Sequence, residues 1–104
     1  ATEEGYKVAT LVPLATVEQC RDALELCAEI APIADPNMVS DVGTGALLAH
    51  AGAQAAAYNV RINLPHITGE DFETETRATL SGLLAECGEL AAAVASEVEQ
   101  ALGD

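Results

Sequence analysis

The chain has 104 residues, half of them hydrophobic, and carries 17 acidic side chains against one Lys and three Arg, for a net charge of −13. That length allows one domain at most, near the size at which a chain buries only about 60–65% of its unfolded surface, and the hydrophobic content argues against disorder. With so few cations to neutralise phosphates, the balance excludes non-specific nucleic-acid binding and disfavours an anionic membrane surface.

Trp is absent and there are only one Phe and two Tyr, so the core must come from Ala, Leu, Val and Ile. That composition favours helix over sheet. The first segment, "ATEEGYKVAT", lacks an initiator Met and reads as already helical; either the chain is a piece of a longer polypeptide, or its initiator Met has simply been removed. From Val17 the apolar positions Val17, Cys20, Leu24, Cys27 and Ala31 follow steps of three and four, one helix stripe. Pro13 lies upstream and predicts a kink or short break between the Thr2 to Leu11 segment and this helix. The two prolines of "APIADPN" (31–37) end it.

Ser40 is the expected N-cap of the next helix, with Asp41 in its first turn complementing the positive helix end. Gly45, Ala49, Ala53 and Ala57 then recur every four residues, with Gly52 and Ala56 beside them. Side chains this small let a neighbouring backbone come close, which places the helix in the middle of a packed assembly. It runs into "YNVRINL" (58–64). Tyr58, Val60, Ile62 and Leu64 alternate there with Asn59, Arg61 and Asn63, a strand pattern. No second strand offers a partner, so helix is the expectation. The last helix is expected to open with a weak Thr68/Asp71 capping box. It continues through Phe72, Leu80, Leu83, Leu84, Cys87, Leu90, Val94, Val98 and Leu102, with nine of the 17 acids on this segment, mostly on a solvated face.

Cys20, Cys27 and Cys87 form no CxxC pair and have no nearby His. They read as small buried hydrophobes rather than metal ligands or disulfides, in keeping with a reducing cytoplasm. No signal peptide is visible, and no uninterrupted run reaches the roughly 20 apolar residues of a membrane span. The lysine-poor acidic exterior suits high salt, where screening relieves self-repulsion, and points to a halophilic source.

The segments "VPLATVEQC" and "PNMVSDVGTGALLAHAGAQAAAYNVRINLP", followed by the acidic leucine-rich tail, are in order and spacing similar to the C-terminal half of the cyclodeaminase/cyclohydrolase family. "SDVGTGALLA" and "NVRINL" are the specific elements. The resemblance implies an all-α fold of long antiparallel helices, part of a bundle completed by a missing N-terminal half, by a dimer partner, or by both. Residues 1–104 are then the C-terminal half of such a domain, because the family's glycine-rich "PGGGS"-like segment has no counterpart here. It further implies a homodimer acting on one-carbon units carried by tetrahydrofolate, as a methenyltetrahydrofolate cyclohydrolase or a formiminotetrahydrofolate cyclodeaminase. The folate derivative is the substrate, and no metal or other cofactor is expected.

Either reaction passes through a tetrahedral carbon between two nitrogens, and needs a group to move protons and polar groups to hold the pterin. Asp41 is the candidate catalytic carboxylate; first-turn helix electrostatics is the competing explanation. Asn59, Arg61 and Asn63 are candidate substrate-binding residues for the pterin amide edge or a folate carboxylate; capping and bridging at a helix end is the competing explanation. His50 reads as packing, His66 as surface, and Tyr58 as facing a neighbouring helix rather than a pterin. Apart from Arg61, only Lys7, Arg21 and Arg77 are available to a folate tail. The alternative from another class is a non-catalytic helical oligomerisation module.

Overall fold

A computed structural model describes residues 2–103. Three long helices make up the fold: α1 (Glu3–Ile30), α2 (Val39–Asn63) and α3 (Glu70–Leu102). Single 3-10 turns, Ala31–Ile33 and Leu64–His66, close α1 and α2. No strand occurs among the described residues, as the aromatic-poor composition requires.

"NVRINL" is helical. Burial explains why the alternation misled: Val60 and Leu64, one turn apart, are fully buried, whereas Tyr58 and Ile62 are each 67% exposed. A strand would have placed all four on one side.

Side-chain contacts fix the topology. Gly45 lies against Cys27, Gly52 against Cys20, and Asn63 against Ala9, so α1 and α2 run antiparallel. Arg21 reaches Glu86, and Glu3 reaches Thr68, so α1 and α3 run parallel. α2 therefore runs antiparallel to both α1 and α3, which also touch each other directly. At Gly43 a Cβ atom would sit 2.9 Å from Val98 Cγ2; α2 and α3 come this close because that position has no side chain.

The core follows the predicted stripes. Val17 and Leu24 of α1, Ala53, Ala57 and Val60 of α2, and Leu80, Leu83, Cys87 and Val94 of α3 are buried in one cluster. Cys20 and Cys27 are half-buried at its edge. Burial pushes the Cys87 thiol above its ordinary pKa, helped by the nearby Cys20. α3 contains an 18-residue window with mean hydropathy 1.3 and at most two charged residues, long and apolar enough by composition to cross a membrane, although glycines and acids such as Gly82, Glu86, Gly88 and Glu89 interrupt any purely apolar run in it. Its leucines at 80 and 83 instead line the core.

Three local expectations are corrected. α1 passes through Pro13 without a break. The N-cap of α2 is Met38, with no side-chain hydrogen bond, and Ser40 falls inside the first turn, where its carbonyl accepts from the Thr44 hydroxyl at 2.9 Å. The start comes early because Asp35 organises it: its carboxylate accepts from the Asn37 amide, and its carbonyl from the Met38 and Val39 amides. α3 is capped by Gly69, and no Thr68/Asp71 box forms. Thr68 is engaged elsewhere.

The Glu3 carboxylate accepts from both the Thr68 amide (3.0 Å) and hydroxyl (2.7 Å), and these bonds hold its pKa below the ordinary value. A depressed folded-state pKa stabilises the fold above the unfolded value, near 4.5, and that stabilisation is lost as pH falls through the lower folded value. Glu3→Gln is therefore expected to remove part of the acid sensitivity of unfolding below about pH 4.5 while lowering stability at neutral pH, as read by thermal melts across the titration.

Outside the core, α2 remains apolar. Leu47, Leu48, Tyr58 and Ile62 are all at least two-thirds exposed. The molecule measures 51 × 19 × 19 Å with a radius of gyration of 16.2 Å, against about 13 Å for a compact chain of this length.

Candidate functional site

α2 carries all four sequence-predicted site residues. Asp41 stands in its first turn and is exposed. Asn59, Arg61 and Asn63 occupy its last two turns. Eighteen residues of helix separate Asp41 from Asn59, about 27 Å at 1.5 Å per residue. Within one chain, the carboxylate and the asparagines are not brought together.

The trio is itself divided. Successive helix positions turn by 100°, so Arg61, two residues from each, points about 160° away from both Asn59 and Asn63. Asn59 and Asn63 line a shallow groove of ≈ 620 Å³ between α1 and α2, with Val12, Pro13 and Thr16 on its other wall. Arg61 lies outside that groove. A second, mostly apolar groove of ≈ 360 Å³ separates the start of α2 from the end of α3, lined by Ser40, Gly43, Thr44 and Leu47 against Val98 and Glu99. Asp41 borders neither closely enough to line it.

Asn63 has a structural task that Pro13 explains. Proline has no N–H, so the carbonyl four residues earlier, that of Ala9, loses its helical partner. The Asn63 Nδ2 donates to this carbonyl at 3.0 Å. The sequence contained the signal, a mid-helix proline whose freed acceptor needs a donor, but the donor lies 54 residues away. Asn59 Nδ2 donates to its own helix, at Ala55 O (3.3 Å). Asn63→Ala is expected to cost about 1 kcal/mol. In a Pro13→Ala background, where Ala9 O regains an intrahelical donor, the cost should shrink; a double-mutant cycle by urea denaturation with no coupling would refute the pairing.

Charge pairing singles out Arg61. Lys7 pairs with Glu4, Arg77 with Glu73, and Arg21 with Asp22, Glu25 and Glu86. The carboxylates around Arg21 raise its pKa further above the ordinary value. Among the described residues Arg61 forms no ion pair, in a chain with 17 acids. No cluster of three potential metal ligands occurs among them either.

The other candidates resolve simply. His66 is exposed and stacks on Tyr6, ring centroids 4.5 Å apart. His50 is half-buried in mid-helix. Tyr58, expected to face a neighbouring helix, instead projects outward, because the positions of α2 that meet α1 and α3 are taken by smaller residues.

Comparison with known proteins bears on what such a helix set belongs to. The sequence profile described as formiminotransferase-cyclodeaminase matches residues 1–82. A methenyltetrahydrofolate cyclohydrolase of Methylorubrum extorquens is 40% identical over 88 residues, covering 85% of this chain and 42% of that protein. The formimidoyltransferase-cyclodeaminases of Rattus norvegicus and Sus scrofa are each 32% identical over 95% of this chain and 18% of their own length. The chain thus spans less than half the length of these curated relatives. The shared segments include both unusual elements of α2, and the chain belongs to the formiminotransferase-cyclodeaminase family.

Proposed function

We propose that this chain supplies the C-terminal half of a folate one-carbon site, acting within a larger cytoplasmic assembly that contains the rest of the domain and is at least a dimer. Methenyltetrahydrofolate hydrolysis is the favoured reaction, supported by the higher identity to the cyclohydrolase than to the cyclodeaminases. In that reaction water adds to the cationic methenyl carbon and gives up a proton to a base, the role assigned to Asp41. The resulting carbinolamine collapses: the bond from carbon to N5 breaks, N5 keeps the electron pair and gains the hydroxyl proton, and the formyl group remains on N10. A carboxylate beside the cationic carbon also stabilises it before attack.

The observation that carries substrate binding is the unpaired Arg61. A guanidinium left without a carboxylate partner in so acidic a chain is suited to an anionic ligand from outside, and the glutamate tail of a folate is one. Asn59 offers its amide in the groove between α1 and α2, while Asn63, one N–H spent on Ala9 O, keeps its Oδ1 and its second N–H for a ligand. Arg61→Ala, in an assembly competent to bind folate, is expected to weaken binding of a folate by at least about tenfold, the size of a lost charge-assisted hydrogen bond, with unchanged thermal unfolding. The test is a titration by fluorescence quenching in molar salt. A fall in melting temperature with unchanged folate affinity would make Arg61 structural.

A further inference from the structure

The contacts that set α1 against α2, Gly45 to Cys27, Gly52 to Cys20 and Asn63 to Ala9, share one register. That register places Pro13 opposite Asn59 and Thr16 opposite Ala56. In the groove of ≈ 620 Å³ between the two helices, Asn59, Asn63 and Thr16 are the polar lining residues, and no charged residue lines it. Gly52, Ala55 and Ala56 are among the others, and side chains this small leave room for a flat ring to lie close to the backbone.

Each polar residue there has spent a donor on the backbone. Asn63 Nδ2 donates to Ala9 O at 3.0 Å, Asn59 Nδ2 to Ala55 O at 3.3 Å, and the Thr16 hydroxyl to Val12 O at 3.3 Å. A carbonyl can only accept, so these bonds fix which way round each amide lies and where the hydroxyl hydrogen points. A ligand is left with the acceptors Asn63 Oδ1, Asn59 Oδ1 and Thr16 Oγ1, against one N–H from each amide. The Asn63 bond forms because Pro13 has no N–H for Ala9 O; any other residue at position 13 would supply that carbonyl with its own helical partner. We propose that Pro13 is a positioning residue, which through Ala9 O fixes the Asn63 amide. The groove thereby selects an uncharged planar ring with an amino group beside a lactam N–H, over a ring that presents carbonyls at the same edge.

The assignment gives the two sides of α2 different ligand chemistry. Arg61, about 160° round the helix from both asparagines, suits an anion, whereas the groove holds no cation and suits a neutral ring. From Asn63 to the level of Thr16 the acceptors span about 10 Å, at 1.5 Å per residue, the length of a two-ring heterocycle. A pterin carries the required amino-lactam edge, and the glutamate tail of a folate does not belong in this groove. That the ring is a pterin rests on the folate reading above; the preference for donors stands on the hydrogen bonds alone.

The test uses isocytosine, a single ring with that amino-lactam edge, against uracil, which has an oxygen in place of the amino group. Neither probe needs turnover, so failure here is separable from failure of the enzymatic reading. The side-chain amide NMR resonances of Asn59 and Asn63, followed on the full chain in molar salt, are expected to shift saturably with isocytosine, and with uracil about fivefold more weakly, the size of one hydrogen bond. Pro13→Ala returns an N–H to Ala9 O. The Asn63 amide resonance should then move toward that of a free amide and isocytosine affinity fall about three- to tenfold, the cost of ordering one side chain on binding. The melting temperature should stay level or rise, because alanine is the better helix residue; a merely structural role would lower it and leave the affinity alone. Thr16→Val, at an exposed position, should narrow the isocytosine-to-uracil ratio without changing the fold. No saturable shift with isocytosine, equal affinity for uracil, or a Pro13→Ala chain whose Asn63 resonance and affinity match the wild type would each overturn the proposal. Isocytosine selectivity without any methenyltetrahydrofolate turnover in the full assembly would uphold it and remove the folate reading instead.

Discussion

Truncating Leu24 to alanine is expected to remove about 2–5 kcal/mol of stability, a large share of the 5–15 kcal/mol typical of a folded domain. Leu24 is completely buried, and of the side chains so enclosed only it and Leu64 are leucines; the next largest are valines. Much of the rest of the core is alanine, which buries little area per residue. The loss is therefore concentrated, and neighbouring helices with small contacts cannot collapse into the cavity without breaking their own close approach. The expected fall in melting temperature is about 10–25 °C, measured in molar salt so that self-repulsion is screened. Leu47→Ala, at a position 71% exposed, should change stability by no more than about 0.5 kcal/mol. Similar effects for the two would mean that α2 does not pack as described.

Replacing Asp41 by Asn is expected to lower kcat for methenyltetrahydrofolate by about 10²–10⁴, the range for loss of a positioned proton-transfer group. Asn keeps the size of the side chain and much of its hydrogen-bonding capacity, while removing the charge and the ability to take a proton. The helix-end contribution of Asp41 is worth only about 0.3–1 kcal/mol, so folding should survive. The rate is followed by the ultraviolet absorbance of the methenyl group in the assembly that turns it over. Unchanged kcat with a lowered melting temperature would leave Asp41 as first-turn electrostatics only.

Both outcomes bear on how α2 is used. Its head holds a carboxylate and its tail a guanidinium and two amides, but one of those amides is committed to repairing the gap that Pro13 makes in α1. Asn63 thus shows how a residue singled out for a ligand acquires an intramolecular partner. Arg61, lacking such a partner among the described residues, keeps its case for binding.

The amino-acid sequence determined the helical class, because the β-preferring aromatics are scarce, and it determined the stripes of α1 and α3, because burial on one face imposes three- and four-residue steps. The motifs of α2 were enough to place the chain in its family. Tertiary structure alone decided the rest. Whether "NVRINL" coiled or extended depended on Val60 and Leu64 finding a core, and whether α1 broke at Pro13 depended on a donor arriving from α2. The Ser40 cap failed because Asp35 organises the start of α2, and the Thr68 cap because Glu3 holds the Thr68 amide and hydroxyl. Local patterns record what each segment prefers, but hydrogen-bond partners from distant segments, and the distance between two ends of one helix, exist only once the chain has folded.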